Sequence, residues 1–311
     1  MTNKDHTVDW SARSKRIDYA RVSSLQLLGN YTRSLPISIE RMLENALDWE
    51  HLPHVHASSF GAIECIDSGR WGWRARTAQP TVPGAEGVSA HNQSLELLVD
   101  LQAHYWATAI LVGPAAGIEI HTQATPVAEH EIAIDVRFYS VQPVDAVHVP
   151  LYLDALRMQY ALLYDEDLLL MQGRQRALDN HSRWSGNEAA SIGASEPLEI
   201  FVGEASSIAA SGPISVDTPT GRYCVRRHAG AWLVHSAVCP HMLGPLDEAT
   251  VDAQGVITCP WHGYRFDLFS GKSLQGRCLS LDTTALVFER DGNLFLRIHP
   301  HSHSRRDSSG C

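Results

Sequence analysis

Two short segments in the last third of the sequence combine cysteine and histidine at a spacing that suits an iron–sulfur cluster. Cys239-Pro-His241 is followed by 17 residues and then by Cys259-Pro-Trp-His262. Two thiolates on one iron and two imidazoles on the other make a mixed-ligand [2Fe–2S] centre. A Cys₂His₂ zinc finger instead groups its two cysteines together and its two histidines together. Chance would produce the spacing in roughly one such chain in a thousand. The pattern therefore predicts a [2Fe–2S] cluster on these four residues.

A second group of candidate metal ligands lies near the N-terminus, in the segment ENALDWEHLPHVH. Asp48, His51 and His56 form the pattern D-x2-H-x4-H, which chance supplies in about one chain in twenty. A solvated, histidine-rich helix end is the alternative that spacing alone leaves open. Asp48 and His51 are expected to share a helix face. Pro53 is expected to end or kink the helix, so that His56 turns back toward the same point. His54 is a rival ligand that fits the spacing less well.

Composition limits the classes of protein. The chain has 311 residues, 44% of them hydrophobic and 19% charged, which predicts a globular protein of two domains. Its net charge of −10 argues against nucleic acid or an anionic membrane as the main partner. The N-terminus is charged, and no window reaches the roughly 18 apolar residues of a membrane span. Six cysteines do not describe a disulfide framework. We expect a cytoplasmic protein.

Hydrophobic periodicity and turn residues divide the chain into five segments and predict an α+β protein. One long or broken helix is expected over 149–178, and hairpin turns are expected at HAGAW and at Asp291-Gly292. The predicted segments are a lead-in at 1–30, a mixed helix-and-strand domain at 31–180, a linker at 181–197, an all-β domain at 198–298 and a disordered tail at 299–311.

The cluster segment carries a family resemblance. CPHMLGPL and GVITCPWHGYRFDLFSGK resemble the Rieske motif of oxygenases and their ferredoxins. Rieske proteins of respiratory complexes have an extra cysteine in each loop, and Gly244 and Trp261 stand at those positions here. Tyr264 stands where the respiratory type has a serine. The resemblance implies a potential near the low end of the Rieske range, about −150 mV, which suits delivery of electrons to an oxygen-activating iron.

The segment around Asp48 resembles the mononuclear-iron motif in the catalytic domains of Rieske oxygenases. That family holds Fe(II) on two histidines and one carboxylate, leaving positions open for oxygen. The resemblance implies His51 and His56 as the histidine ligands. Asp48 would then link one of them to a Rieske histidine for electron transfer. Asp167 is the implied carboxylate ligand, with Asp165 as the fallback and a surface acidic patch as the alternative. The implied catalytic fold is a START-like helix-grip.

The resemblance implies the terminal oxygenase of a Rieske non-haem iron system, aromatic-ring-hydroxylating type, acting on a small organic substrate and O₂. Its electrons would come from a separate NAD(P)H-dependent reductase or a ferredoxin, since the sequence has no GxGxxG after a strand. The catalytic domain is short and precedes the Rieske domain, the reverse of the usual family order. The family's head-to-tail rings imply a homotrimer, but the reversed order leaves open whether electrons pass within or between chains. The alternative function is electron transfer, with an iron-free ligand-binding domain fused to the Rieske domain.

Overall fold

The computed structural model describes residues 8–80, 93–185, 197–276, 278–282 and 284–298. The chain divides into two compact units, Met1–Gln172 and Gly173–Cys311. The expected disordered tail and most of the expected linker lie outside the described residues. Within the described ranges, no helix is both long enough and apolar enough to cross a membrane.

One antiparallel sheet of seven strands dominates the first unit, with strand order β1-β7-β6-β5-β4-β3-β2. The strands are β1 (Gln26–Leu35), β2 (Ala62–Gly69), β3 (Gly72–Ala78), β4 (Gln93–Asp100), β5 (Tyr105–Val112), β6 (Ile118–Ala128) and β7 (Glu131–Ser140). The helices are α1 (Tyr19–Val22), α2 (Ile39–Leu47), α3 (Leu52–Val55) and α4 (Val149–Ser185). Helices α2 and α3 lie in the connection from β1 to β2, and α4 follows the last strand of the sheet.

Aromatic side chains join the sheet to the long helix α4. Burial alternates along β7, as expected for a strand with one face toward a core. The ring of Phe138 on that strand lies 5.3 Å from the ring of Tyr160 on α4. One helical turn later, Tyr164 stacks on Tyr31 of β1 at 6.3 Å. Side chains four residues apart share a helix face, so α4 turns one side to the sheet. The predicted α+β class and its START-like helix-grip arrangement are confirmed.

A glycine allows β1 to pass close to α4. Gly29 lies at a β-bulge between β1 and β7, with a φ of +153°. A Cβ atom built there would lie 2.6 Å from a Leu153 methyl carbon. A larger residue would have a strained backbone at this φ and would force the Leu153 side chain to move, so glycine is favoured at this position.

A buried ion pair holds the N-terminal segment against the seven-stranded sheet. The segment lies on the face opposite to the one that carries the Trp73 side chain. Arg74 of β3 and Glu96 of β4 are each 2% exposed, and the Arg74 Nε atom donates to Glu96 at 2.8 Å. The same guanidinium donates to the backbone carbonyls of Trp10, Arg13 and Ser14. With its charge and its donors satisfied by these partners, the arginine can be buried at tolerable cost. Residues 10–14 of the lead-in are therefore held against the sheet by Arg74.

Two element boundaries fall inside segments that the sequence assigns to other structure. Strand β1 begins at Gln26, within the lead-in, and helix α4 continues to Ser185, into the predicted linker. Polar residues in both stretches interrupt the hydrophobic periodicity from which the element boundaries are predicted. Backbone pairing with β7 defines the strand in one case, and continued helical hydrogen bonding extends the helix in the other.

The second unit is built mainly from short antiparallel strands. Two three-stranded sheets, ordered β9-β10-β11 and β8-β15-β14, accompany the pair β12-β13. The elements are β8 (Leu198–Glu204), α5 (Ala205–Ser211), β9 (Ile214–Thr218), β10 (Gly221–His228), β11 (Ala231–Ser236), β12 (Val256–Thr258), β13 (Arg265–Asp267), β14 (Leu286–Arg290) and β15 (Asn293–Ile298). One apolar core joins the two larger sheets, with Val225, Leu294 and Leu296 wholly buried in it.

Two hairpins of the second unit turn where the sequence predicts. Ala229-Gly230 connects β10 to β11, and Asp291-Gly292 connects β14 to β15. All four of these residues have positive φ angles, between 48° and 85°. Two consecutive positive φ angles are the mark of the type I′ turn that fits a two-residue hairpin.

Candidate metal centres

A single helical turn carries the two N-terminal histidines. Helix α2 ends at Leu47, and Asp48 follows it with an extended ψ of 95°. His51 is the N-cap of α3 and His56 is its C-cap. Pro53 lies in the first turn of α3, where its missing N–H costs nothing. The expectation that this proline ends a helix is therefore wrong: it helps to begin one, and the histidines stand at the two ends of that turn.

His51, His56 and Asp167 meet inside the first unit. They are 3%, 1% and 8% exposed, and one ligand atom from each lies within 4.8 Å of the others. The Asp167 Oδ1 atom is 3.3 Å from His51 Nε2 and 2.9 Å from His56 Nε2. Asp167 is on the face of α4 that carries Tyr160 and Tyr164. Helix α4 therefore supplies the carboxylate to the two histidines of α3.

A carboxylate also approaches the far nitrogen of each histidine. The Asp48 Oδ2 atom lies 3.5 Å from His51 Nδ1, and the Glu166 Oε2 atom lies 2.7 Å from His56 Nδ1. Metal-binding histidines usually have such a partner, which fixes the tautomer and the direction of the ring. Sequence reasoning missed Glu166, although it directly precedes Asp167.

The charges of this cluster stabilise one another. Burial alone would lower the pKa of His51, but hydrogen bonding to Asp167 and Asp48 outweighs it and raises that pKa to about 10. Burial would raise the pKa of Asp167, but contacts with His51 and His56 hold it below its usual range. Asp167 is thus an anion at neutral pH. A divalent cation bound here would take the place of the imidazole proton, as metal binding generally does.

Two residues that the sequence offered as alternatives lie away from the cluster. The Asp165 side chain is 63% exposed and pairs with Arg33 at 2.7 Å. Two residues along a helix rotate a side chain by about 200°, so Asp165 and Asp167 point in nearly opposite directions. His54 is exposed on the surface of α3. The fallback ligand is therefore not part of this group.

The donor set can hold a divalent transition metal. Two imidazole nitrogens and one carboxylate oxygen match the facial triad of non-haem iron, with coordination positions left for other molecules. The same donors also occur in catalytic zinc sites. All three side chains are buried, and a carboxylate hydrogen bonds to the far nitrogen of His56, so the group is prearranged for an ion.

The four residues of the predicted cluster lie on two loops of the second unit with matching backbone hydrogen bonds. The Cys239 N–H donates to the Gly244 carbonyl at 2.8 Å, and the Leu243 N–H donates to the Cys239 carbonyl at 2.9 Å. In the second loop the Cys259 N–H donates to the Tyr264 carbonyl at 2.8 Å, and the Gly263 N–H donates to the Cys259 carbonyl at 2.9 Å. The loops thus present their cysteines with the same local geometry.

A positive φ angle is required at the same position of each loop. Leu243 and Gly263 both follow their cysteine by four residues, with φ angles of 59° and 66°. Glycine accepts this conformation without strain, whereas a leucine there costs about 1 kcal/mol. The residue at the position of Gly263 in the first loop is therefore Leu243, and not the neighbouring Gly244.

The side chains of the two loops converge. Cys239 and Cys259 are buried, and the rings of His241 and His262 lie 4.6 Å apart at 89°. A Cβ atom on Gly244 would stand 2.8 Å from the Cys259 sulfur, so glycine is needed for the loops to close. Two thiols and two imidazoles in one place fit the mixed ligand set of a [2Fe–2S] centre.

A buried arginine and a buried histidine support the first cluster loop through hydrogen bonds. The Arg226 Nε atom donates to His235 Nε2 at 3.0 Å, and its Nη2 atom donates to the Leu246 carbonyl at 2.9 Å. The His235 Nδ1 atom donates to the Ser236 carbonyl at 2.7 Å. Burial, together with the Arg226 charge, lowers the pKa of His235 to about 4. His235 is therefore neutral at pH 7, and its Nε2 atom accepts a hydrogen bond from the arginine. No spacing pattern in the sequence indicates this pair.

Comparisons with known proteins agree with this second centre. A family model described as the Rieske [2Fe-2S] domain matches residues 199–286. Flavonoid 8-hydroxylase 2, chloroplastic, of Ocimum basilicum is 44% identical over 41 residues, which are 13% of this chain and 8% of that protein. Pheophorbide a oxygenase, chloroplastic, of Oryza sativa subsp. japonica is 41% identical over 39 residues, 12% of this chain and 7% of that protein. The matched segments are thus less than a tenth of these relatives' lengths.

A search of solved structures also finds the quaternary ammonium Rieske monooxygenase CntA. It is 13% identical over 51% of this chain and 41% of that chain, with a TM-score of 0.38. The likeness is too distant to assign an activity. The range that matches the family model, residues 199–286, includes both loops described above, and this part of the chain corresponds to a Rieske [2Fe-2S] domain.

Proposed function

We propose that this chain is the terminal oxygenase of a Rieske non-haem iron system. The observation that carries the proposal is a buried group of two histidines and one carboxylate in a chain that also contains a Rieske domain. We assign the cluster to Cys239, His241, Cys259 and His262. We assign a mononuclear Fe(II) to His51, His56 and Asp167.

The Rieske domain is the reason to prefer iron over zinc in the first unit. The N₂O donor set suits both metals. A Rieske cluster carries single electrons, and zinc has no redox chemistry to accept them. Iron accepts electrons, so one chain that carries both centres has a use for each.

The residues around the histidines have separate tasks in this proposal. Asp167 presents one oxygen to both Nε2 atoms, which fixes where the ion binds. The Asp48 Oδ2 atom lies 3.5 Å from His51 Nδ1, and Asp48 would pass electrons to the metal site from a Rieske histidine, of the same chain or of another copy. Burial of all three ligands keeps bulk water away. Fe(II) held this way supplies open positions at which O₂ is activated beside an organic substrate.

The partners follow from the same scheme. Electrons come from a separate NAD(P)H-dependent reductase or a ferredoxin. The net charge of −10 favours a docking partner with a basic surface. The two curated relatives are named as a flavonoid 8-hydroxylase and a pheophorbide a oxygenase, and these two substrate classes are the first to screen. Hydroxylation, dihydroxylation and oxidative demethylation are the reactions open to this site.

The competing function is electron transfer by a Rieske domain fused to an iron-free ligand-binding domain. The short catalytic domain and the reversed domain order favour it. Nitric oxide separates the two functions without knowledge of the substrate. Anaerobic, dithionite-reduced protein treated with nitric oxide is expected to give the EPR signal of a high-spin iron–nitrosyl beside the signal of the reduced cluster. If the cluster signal appears alone in protein supplied with Fe(II), the oxygenase proposal is wrong.

A further inference from the structure

We propose that Glu166 is a positioning residue that holds His56 in the tautomer and orientation needed to bind metal. This inference rests on the proposed function, because it concerns the same iron site. It adds a residue that neither the sequence motif nor the family match assigns.

Each ring nitrogen of His56 lies next to a carboxylate of α4. Its Nδ1 atom is 2.7 Å from Glu166 Oε2, and its Nε2 atom is 2.9 Å from Asp167 Oδ1. His56 is 1% exposed, so its ring is shielded from bulk solvent and these carboxylates are the partners of its two nitrogens. With the Nδ1 proton donated to Glu166, the Nε2 lone pair is available on the side of Asp167 and His51.

Both of these carboxylates belong to α4. Glu166 and Asp167 are consecutive, and consecutive helical side chains diverge by about 100°. The His56 ring bridges that divergence, with one nitrogen toward each carboxylate. Its direction is therefore tied to the rigid backbone of α4 at two points.

The outer contact at His51 is longer than the one at His56. The equivalent outer contact there, from Asp48 to Nδ1, is 3.5 Å, against 2.7 Å at His56. Only the shorter of the two is within the usual length of a strong, charge-assisted hydrogen bond. The two outer carboxylates therefore differ in their roles. Glu166 fixes the orientation of His56 through a short hydrogen bond, whereas the longer contact of Asp48 with His51 is compatible with its proposed role in electron transfer.

The test is the affinity for Fe(II) of protein that retains its cluster. Mononuclear iron is removed by an anaerobic chelator, and Fe(II) is titrated back in competition with a chelator of known affinity. Loss of an orienting partner typically weakens metal binding by 10–100-fold, so we expect a loss of about that size for Glu166→Ala. Glu166→Gln should recover most of the lost Fe(II) affinity, because the amide oxygen can still accept a hydrogen bond from the His56 Nδ1–H group.

Asp165→Ala is the matched control. Asp165 is the preceding residue on α4 and points to solvent, so its loss should leave Fe(II) affinity unchanged. The cluster's visible absorbance and the far-UV circular dichroism verify folding of each variant. Equal Fe(II) affinity for wild type and Glu166→Ala would overturn the positioning role and leave the proposed function standing. Failure of the wild type itself to bind Fe(II) would overturn the proposed function and this inference together.

Discussion

Replacing His51 and His56 together with alanine is expected to lower the iron content from about three atoms per chain to about two and to abolish substrate oxidation. The change removes two of the three ligand atoms that converge within 4.8 Å, and Asp167 alone cannot retain the ion. The cluster lies on separate loops in the second unit, so its two irons, its sulfide and its EPR signal should remain. Iron and sulfide assays on anaerobically purified protein, with EPR of the reduced form, measure all three.

Asp165→Asn is the control for this double variant, because that exposed side chain pairs with Arg33 outside the cluster. It should keep the wild-type iron content. A double variant that still held a third iron would show that His51 and His56 are not ligands. Loss of all the iron would instead point to unfolding, which circular dichroism at the same protein concentration detects.

Replacing Asp48 with asparagine is expected to leave both iron centres loaded and to lower coupled turnover by roughly 100-fold. Asparagine keeps the size of the side chain but removes the negative charge 3.5 Å from His51 Nδ1. The three metal ligands are untouched, so the iron content should not change. Once a substrate is found, the rate at which O₂ reoxidises the reduced cluster in its presence measures the electron-transfer step directly.

Asp154→Asn gives a matched change at an exposed position of α4 and should turn over at the wild-type rate. Wild-type turnover by Asp48→Asn would refute its role in electron transfer. If this variant lost its mononuclear iron instead, Asp48 would be a residue that retains the metal, and the lower rate would follow from the missing ion.

The cluster loops could be predicted from sequence because their chemistry is local. Four residues in two short segments define the ligand set, and the strands around them bring the segments together. Leu243 shows the limit of this reasoning. Its positive φ angle is required by the loop's hydrogen bonds, yet a leucine gives no sign of it. Arg226 and His235 form a long-range pair whose partners cannot be identified from spacing.

The group formed by His51, His56 and Asp167 can be predicted from the sequence only in part. His51 and His56 share one motif, whereas Asp167 lies more than a hundred residues away and was reached by resemblance alone. Helix periodicity could have separated it from Asp165, since Tyr160, Tyr164 and Asp167 fall on one face of α4. The hydrogen bond that Glu166 accepts from His56 depends on a side-chain rotamer and on how α4 meets α3. A linear pattern specifies neither.

A chain that carries both a Rieske cluster and a mononuclear iron has a characteristic ratio of iron to acid-labile sulfide. This ratio can be measured in wild-type protein, purified anaerobically and supplied with Fe(II). We expect about three irons and two sulfides per chain, with one iron removed by a mild chelator while the cluster's absorbance persists. A ratio of two irons to two sulfides, unchanged by added Fe(II), would contradict the proposed function and identify the chain as an electron carrier.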